Sequence, residues 1–124
     1  MGVRHIRAIR GATTADSDDP EVIRAATREL LAEMTARNGL RPSDVISAVF
    51  TVTSDLTSEF PARAARELGW LDVPLLCTME IPVPGALARC IRVLLHFESE
   101  RARASIEHVY LHGARLLRPD LLRD

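Results

Sequence analysis

This chain of 124 residues has no lysine: all 16 of its basic residues are arginine. That uniformity fits a codon bias and strips any single arginine of meaning, so position has to make the case. Positive charge is not in excess either. The formal net charge is −1, which gives no electrostatic basis for a nucleic-acid or acidic-membrane partner. Cysteine is scarce. Cys77 and Cys90 both lie in apolar runs, with no paired-cysteine framework, so reduced thiols are expected. No apolar stretch approaches the roughly 18 residues of a membrane span, and no charged-then-apolar leader opens the sequence, so a cytoplasmic location is expected. Catalytic constellations are missing too: there is no Ser-His-Asp set, no phosphate-cradling glycine loop and no carboxylate pair at useful spacing. The length suits one domain over residues 1–124, large enough for a core and small enough that association would help bury more surface.

What the sequence does have is arginine inside or at the ends of apolar, strand-like runs. These read Ile9-Arg10-Gly11-Ala12-Thr13-Thr14, Cys90-Ile91-Arg92-Val93-Leu94-Leu95 and Leu116-Leu117-Arg118-Pro119-Asp120-Leu121. A guanidinium does not lose its proton, so it needs a negative partner wherever it is buried. Glu80 is the clearest acid inside such a run. The missing negative charge therefore points to a ligand, and two or more arginines suit a dicarboxylate.

Periodicity lays out the elements. Val3 to Ala12 alternates as a strand. Asp19 caps a helix with Pro20 at its first position and Glu21 at the positive end of the dipole. Val22, Ala26, Leu30 and Met34, with Ile23, Thr27 and Leu31, form its apolar stripe, and Asn38-Gly39 stops it. Val45 to Thr53 is a β-branched strand. Pro61 to Leu68 is a short helix ended by Gly69. Strands are expected at about Val73 to Glu80, Cys90 to Glu98 and His108 to Leu117, with a charged turn over Arg101 to Ser105. Ile81-Pro82-Val83-Pro84-Gly85 cannot pair along its length, because the prolines remove donors. The order β-α-β-α-β-β-β implies an α+β fold: a mixed sheet of about five strands with one long helix on one face and one short helix.

Each candidate residue also has an ordinary role. Tyr110, the lone tyrosine, fits a core or rim position on a strand. Cys77 has no histidine or helix N-terminus nearby in sequence, so it suits a wall better than a nucleophile. Glu80 could be an exposed strand end. His108 and His112 share a face whether the segment is helix or strand, and solvent exposure accounts for them better than a metal does. Acid–base or covalent chemistry is poorly served by this inventory; electrostatic stabilisation of an anion is well served.

Four segments together carry a resemblance. Ile6-Arg7-Ala8-Ile9-Arg10-Gly11-Ala12-Thr13-Thr14, Phe60-Pro61-Ala62-Arg63-Ala64-Ala65-Arg66-Glu67-Leu68, Cys90-Ile91-Arg92-Val93, and His108-Val109-Tyr110-Leu111 with Leu117-Arg118-Pro119-Asp120-Leu121 resemble the small, monofunctional, non-helical chorismate mutases, in order and over nearly the whole chain. The resemblance implies a homotrimer with a pseudo-α/β-barrel core, an active site at each subunit interface, no cofactor, and conversion of chorismate to prephenate on the way to phenylalanine and tyrosine. It also implies roles. Arg10 and Tyr110 would bind a substrate carboxylate, Arg92 would donate to the ether oxygen, and Glu80 would hold the ring hydroxyl. Cys77, with Leu75, Leu76, Thr78 and Met79, would line the ring side. Phe60, Ala62, Arg63 and Arg66 would form the rim, and Leu117 and Arg118 would close it. This chain has Gly85-Ala86 where the family often carries two glycines, and Arg63 where it carries lysine. Strand alternation puts Cys77 and Glu80 on opposite faces, so both meet one substrate only through a bulge or through different chains.

Two other classes use the same features. A trimeric binding or regulatory protein, or an enamine/imine deaminase-like trimer, needs only one carboxylate-binding arginine. A structural interaction domain would pair its arginines with acids across an interface. Turnover of chorismate separates the mutase from both.

Overall fold

The computed structural model describes residues 2–118. Its long helix begins as the local sequence dictates. The Asp19 carboxylate accepts the backbone N–H groups of Glu21 and Val22 at 3.0 and 3.2 Å, satisfying donors that a first turn leaves unpaired. Helix α1 then runs over Pro20–Asn38, and Gly39 closes it at φ 63°, ψ 38°, with its N–H returned to the Ala36 carbonyl. The buried stripe is Ile23, Thr27, Leu30, Leu31, Met34 and Asn38, close to the stripe expected from spacing. Asn38 is buried because its amide group is used at both ends. It donates to the carbonyls of Met34 and Glu107 and accepts the Glu107 N–H.

Five strands form one sheet: β1 (His5–Thr14), β2 (Val45–Val52), β3 (Leu75–Met79), β4 (Cys90–Ser99) and β5 (Val109–Tyr110). The short helix α2 covers Ala62–Glu67 between β2 and β3. Their order across the sheet is β3-β2-β4-β1-β5. Strand β4 is antiparallel to both β1 and β2, whereas β2–β3 and β1–β5 are parallel. The expected mixed five-stranded α+β sheet with one long and one short helix is the architecture observed.

Alternation decides what each face does. Ile9, Phe50, Val93, Leu95, Phe97 and Val109 point toward the helical side and join Leu30, Leu31 and Met34 in the core. Neither α1 nor α2 covers the other face, which is shielded only beside Ala12 and Tyr110, where Ala114 of the 3₁₀ segment His112–Leu116 packs on it. This face carries Ile6, Leu76 and Leu94, which are 69%, 62% and 40% exposed, and the arginines of the first two apolar runs, Arg10 and Arg92. Arg10 and Arg92 are thus not buried in the core; they stand on this open face.

One expectation is overturned. The last strand does not extend from His108 to Leu117. It holds two residues, and a 3₁₀ helix over His112–Leu116 replaces the rest. Its partner explains this. Val109 and Tyr110 pair with Gly11 and Ala12, and β1 itself ends two residues later at Thr14. With only Thr13 and Thr14 left beside it, the chain turns at His112, whose φ is 51°, and Gly113 donates its N–H to the Thr14 hydroxyl at 3.2 Å. The run's Pro119, Asp120 and Leu121 lie outside the described residues. Arg101 to Ser105 contains the expected helical turn, a 3₁₀ segment at Arg103–Ser105.

Candidate active site

The register brings one row of side chains together on the open face. Thr78, Thr51, Arg92, Ala12 and Tyr110 stand side by side across all five strands. Arg10 sits on the same face, two residues along β1 from Ala12 and opposite Leu94. Just past β3, the Glu80 N–H donates to the Val52 carbonyl, which holds the chain beside β2 and delivers the Glu80 side chain to this row. Its Oε1 accepts the Thr51 hydroxyl at 2.6 Å and lies 3.1 Å from Arg92 Nε. The expected acid and the expected arginine therefore meet, with Thr51 between strands as a support that sequence reading passed over.

Tyr110 is buried at 9% exposure and packs with Ala12 and Ala114, with Leu87 and Leu117 against them. His108 sits at the same edge, half-buried, with Nδ1 accepting the Arg10 backbone N–H at 2.9 Å. Burial, then the charges of Arg10 and Arg118, push the His108 pKa down. A neutral ring is what that acceptor role requires. His112 is exposed as anticipated and pairs with Glu29 at 2.7 Å.

A second group lies at the opposite edge. Phe60, Ala62, Arg63, Arg66, Leu75, Leu76 and Cys77 line a cleft of about 870 Å³ beside α2, together with Arg24 and Glu67. Glu59 stands behind its rim. Its carboxylate accepts the Phe60 N–H at 2.9 Å and pairs with Arg24 Nη1 at 2.5 Å and Arg63 Nε at 3.4 Å. The Phe60 N–H first, and then Arg24 and Arg63, hold that carboxyl below the usual range despite its desolvation. Burial pushes the thiol of Cys77 up, against a backbone hydrogen bond from Ala62. Burial raises Cys90 likewise, against the nearby Arg92. Both cysteines are free, and protonated thiols make poor nucleophiles.

The two groups do not converge within one chain. The cleft on β3 and Tyr110 on β5 lie at opposite edges of the sheet, four strand spacings or about 19 Å apart, while Glu80 follows β3 directly. Cys77 faces the helical side with the cleft, and Glu80 faces the open side with Arg92, as alternation demands. Thr78 and Met79 are exposed at the β3 edge, Leu117 and Arg118 are half-buried near Tyr110, and the Arg118 charge reaches His108. Among the described residues no group of three or more His, Cys, Asp or Glu side chains could hold a metal ion, and no helix is long and apolar enough to cross a membrane.

The type I chorismate mutase family model matches residues 6–121. The chain belongs to this family. It is 52% identical over 117 residues to the chorismate mutase AroH of Thermus thermophilus, covering 94% of this chain and 96% of that relative. Against the chorismate mutase AroH of Bacillus subtilis (strain 168) it is 44% identical over 117 residues, covering 94% and 92%. A solved structure of a chorismate mutase from Clostridium thermocellum superposes with a TM-score of 0.87 at 50% identity, over 88% of this chain and 97% of that one. The type I mutase fold thus extends over the sheet, both helices and both residue groups. Arg24, Glu59 and Thr51 were missed by sequence reading. The only signal available was weak: Arg24 follows Glu21 at i+3, and Thr51 shares its strand face with Val49.

Proposed function

We propose that this chain is a cytoplasmic chorismate mutase, one domain over residues 1–124, which rearranges chorismate to prephenate for phenylalanine and tyrosine biosynthesis. It acts as a homotrimer with a pseudo-α/β-barrel core and a site at each subunit interface. The observation that carries this reading is the Arg92–Glu80 pair on the open face, in register with Tyr110 and adjacent to Arg10, in a chain of this family. The open face with Ile6, Leu76 and Leu94 exposed supports association. So does the placement of the cleft beside α2 and of Tyr110 on β5 at opposite edges of the sheet, about 19 Å apart and wider than a single-ring dicarboxylate reaches. One site then draws Arg10, Glu80, Arg92, Tyr110, Leu117 and Arg118 from one copy. The facing copy supplies Phe60, Ala62, Arg63, Arg66, Leu75, Leu76, Cys77, Thr78 and Met79.

The rearrangement is pericyclic: one C–O bond breaks as one C–C bond forms, and no proton moves. The site has to hold a flexible dianion in its compact reactive conformer and stabilise charge that grows only in the transition state. Arg10 and Tyr110 fix a carboxylate, Glu80 fixes the ring hydroxyl, and Arg92 donates to the ether oxygen as negative charge develops there. One well-aimed cationic donor contributes about 3–4 kcal/mol by analogy with oxyanion-hole donors. A millionfold acceleration needs roughly 8 kcal/mol, so conformer selection supplies much of the remainder.

The test is loss of chorismate absorbance with prephenate identified as product. Rapid loss is expected, abolished in Arg92→Ala and greatly slowed in Arg92→Lys, which keeps the charge but changes the donor fork. Absence of turnover in a folded trimer would leave a binding or regulatory module on this scaffold. Turnover surviving Arg92→Lys within a few-fold would remove Arg92 from the ether oxygen.

A further inference from the structure

We propose that Glu59 is a positioning residue for the anionic substrate, fixing Arg63 and Phe60 at the rim of the cleft and tying both to helix α1 through Arg24. The proposal rests on the mutase reading for the identity of the anion. Glu59 lies in the loop ahead of α2, yet its side chain is only 9% exposed. A carboxylate buried beside an anion-binding cleft works against binding unless it is matched. It is matched on both oxygens. Oε2 meets Arg24 Nη1 at 2.5 Å, while Oε1 accepts the Phe60 N–H at 2.9 Å and lies 3.4 Å from Arg63 Nε. Arg24 is in turn held by Glu21 at 2.5 Å. An alternating chain Glu21–Arg24–Glu59–Arg63 therefore leads from the first turn of α1 to the cleft.

Its effect falls on Arg63, which is 64% exposed on a helix of six residues. A long, solvated arginine has much rotamer freedom to lose on meeting a ligand. Holding Nε in advance removes part of that loss and leaves both Nη groups for a carboxylate. Phe60, 65% exposed, is placed through its backbone by the same carboxylate. A staple that merely fastened the loop to α1 would need Arg24 but not Arg63, and this difference is measurable.

Glu59→Gln keeps the shape and an acceptor but removes the charge. KM for chorismate is expected to rise about tenfold with kcat within about twofold, and the same substitution in an Arg63→Ala background is expected to change KM by less than about twofold. Phenylglyoxal labelling of Arg63, followed by peptide mass, is expected to accelerate at least about threefold in Glu59→Gln as the guanidinium loses its ionic partner. An unchanged KM in a folded Glu59→Gln protein, an undiminished effect in the Arg63→Ala background, or unchanged labelling would each overturn the proposal. Should Glu59→Gln fail to fold, Glu59→Asp retains the charge but retracts it by one methylene, and an unaltered KM there would overturn it equally. A parent protein without turnover would refute the mutase reading alone, and the labelling would still decide whether Glu59 holds Arg63.

Discussion

At the scale of single residues, Thr51 sets the geometry of a charged pair without carrying charge. Its hydroxyl donates to the Glu80 oxygen that also faces Arg92 Nε. Without that donor, Glu80 has one fewer constraint on where it presents its second oxygen. Thr51→Val is close in shape and suits a strand, so the sheet should persist. The expected result is a fall in kcat/KM of about tenfold to a hundredfold, corresponding to the roughly 1.5–3 kcal/mol of one hydrogen bond to a charged group. Steady-state kinetics with a melting curve on the same sample would check it. An unchanged kcat/KM would mean that Arg92 alone orients Glu80. Neither Arg92 nor Glu80 was hidden in the sequence, because a charge within an apolar strand stands out. Thr51 was hidden, because a threonine in a β-branched run is unremarkable until its cross-strand neighbour is known.

Elements were legible to the extent that local chemistry defines them. Asp19, Pro20 and Gly39 mark the ends of α1 with no information beyond a few neighbouring residues, and the helix has those ends. The length of β5 is set instead by where β1 stops, a fact 95 residues away in the chain (Thr14 against Val109), so an apolar run was read as a longer strand. Arg24 and Glu59 were illegible for the same reason, since only the packing of α1 against α2 brings their charges together. The contact of α1 with the sheet also limits what β1 can carry. A Cβ built on Gly11 would stand 2.3 Å from Met34 Sδ, 3.0 Å from its Cε and 3.2 Å from Leu30 Cδ1. Met34 and Leu30 are fully buried and have little room to retreat. Gly11→Ala is therefore expected to destabilise by about 1–3 kcal/mol, lowering Tm by several degrees. Met34→Ala in the same chain should recover part of that loss, so the two substitutions should not add. Additive effects would show that the helix shifts as a body instead.

For the whole molecule, acid stability and assembly both follow from how charges are placed. Asp18, Asp44, Asp55 and Glu59 all have carboxyls held below their usual values. Asp55 owes this first to the Thr53 hydroxyl and then to the Arg89 N–H, a contact that secures Arg89 at φ 48° just before β4. A carboxyl that binds its proton less readily folded than unfolded adds stability that is complete above the unfolded pKa, near 4, and is lost as pH falls through the lower folded value. Tm should fall modestly below about pH 6.5, where the unfolded His108 ring gains a proton that the folded ring binds less readily, and drop further below about pH 4, with a shallower acid drop in Asp55→Asn; a Tm that instead rose on acidification would contradict these placements. Assembly admits a sharper test. If each site combines Arg92 of one copy with the Arg63 rim of the next, then Arg92→Ala and Arg63→Glu proteins are each inactive for different halves of the site. Unfolded together and refolded at equal ratio, they should form mixed trimers at random. A site is intact when its first half comes from the Arg63→Glu chain and its facing half from the Arg92→Ala chain, each with a chance of about one half. The mixture should regain about a quarter of parental turnover through the closed symmetry of the trimer. A site contained within one chain would regain none, because every chain would still carry one broken half.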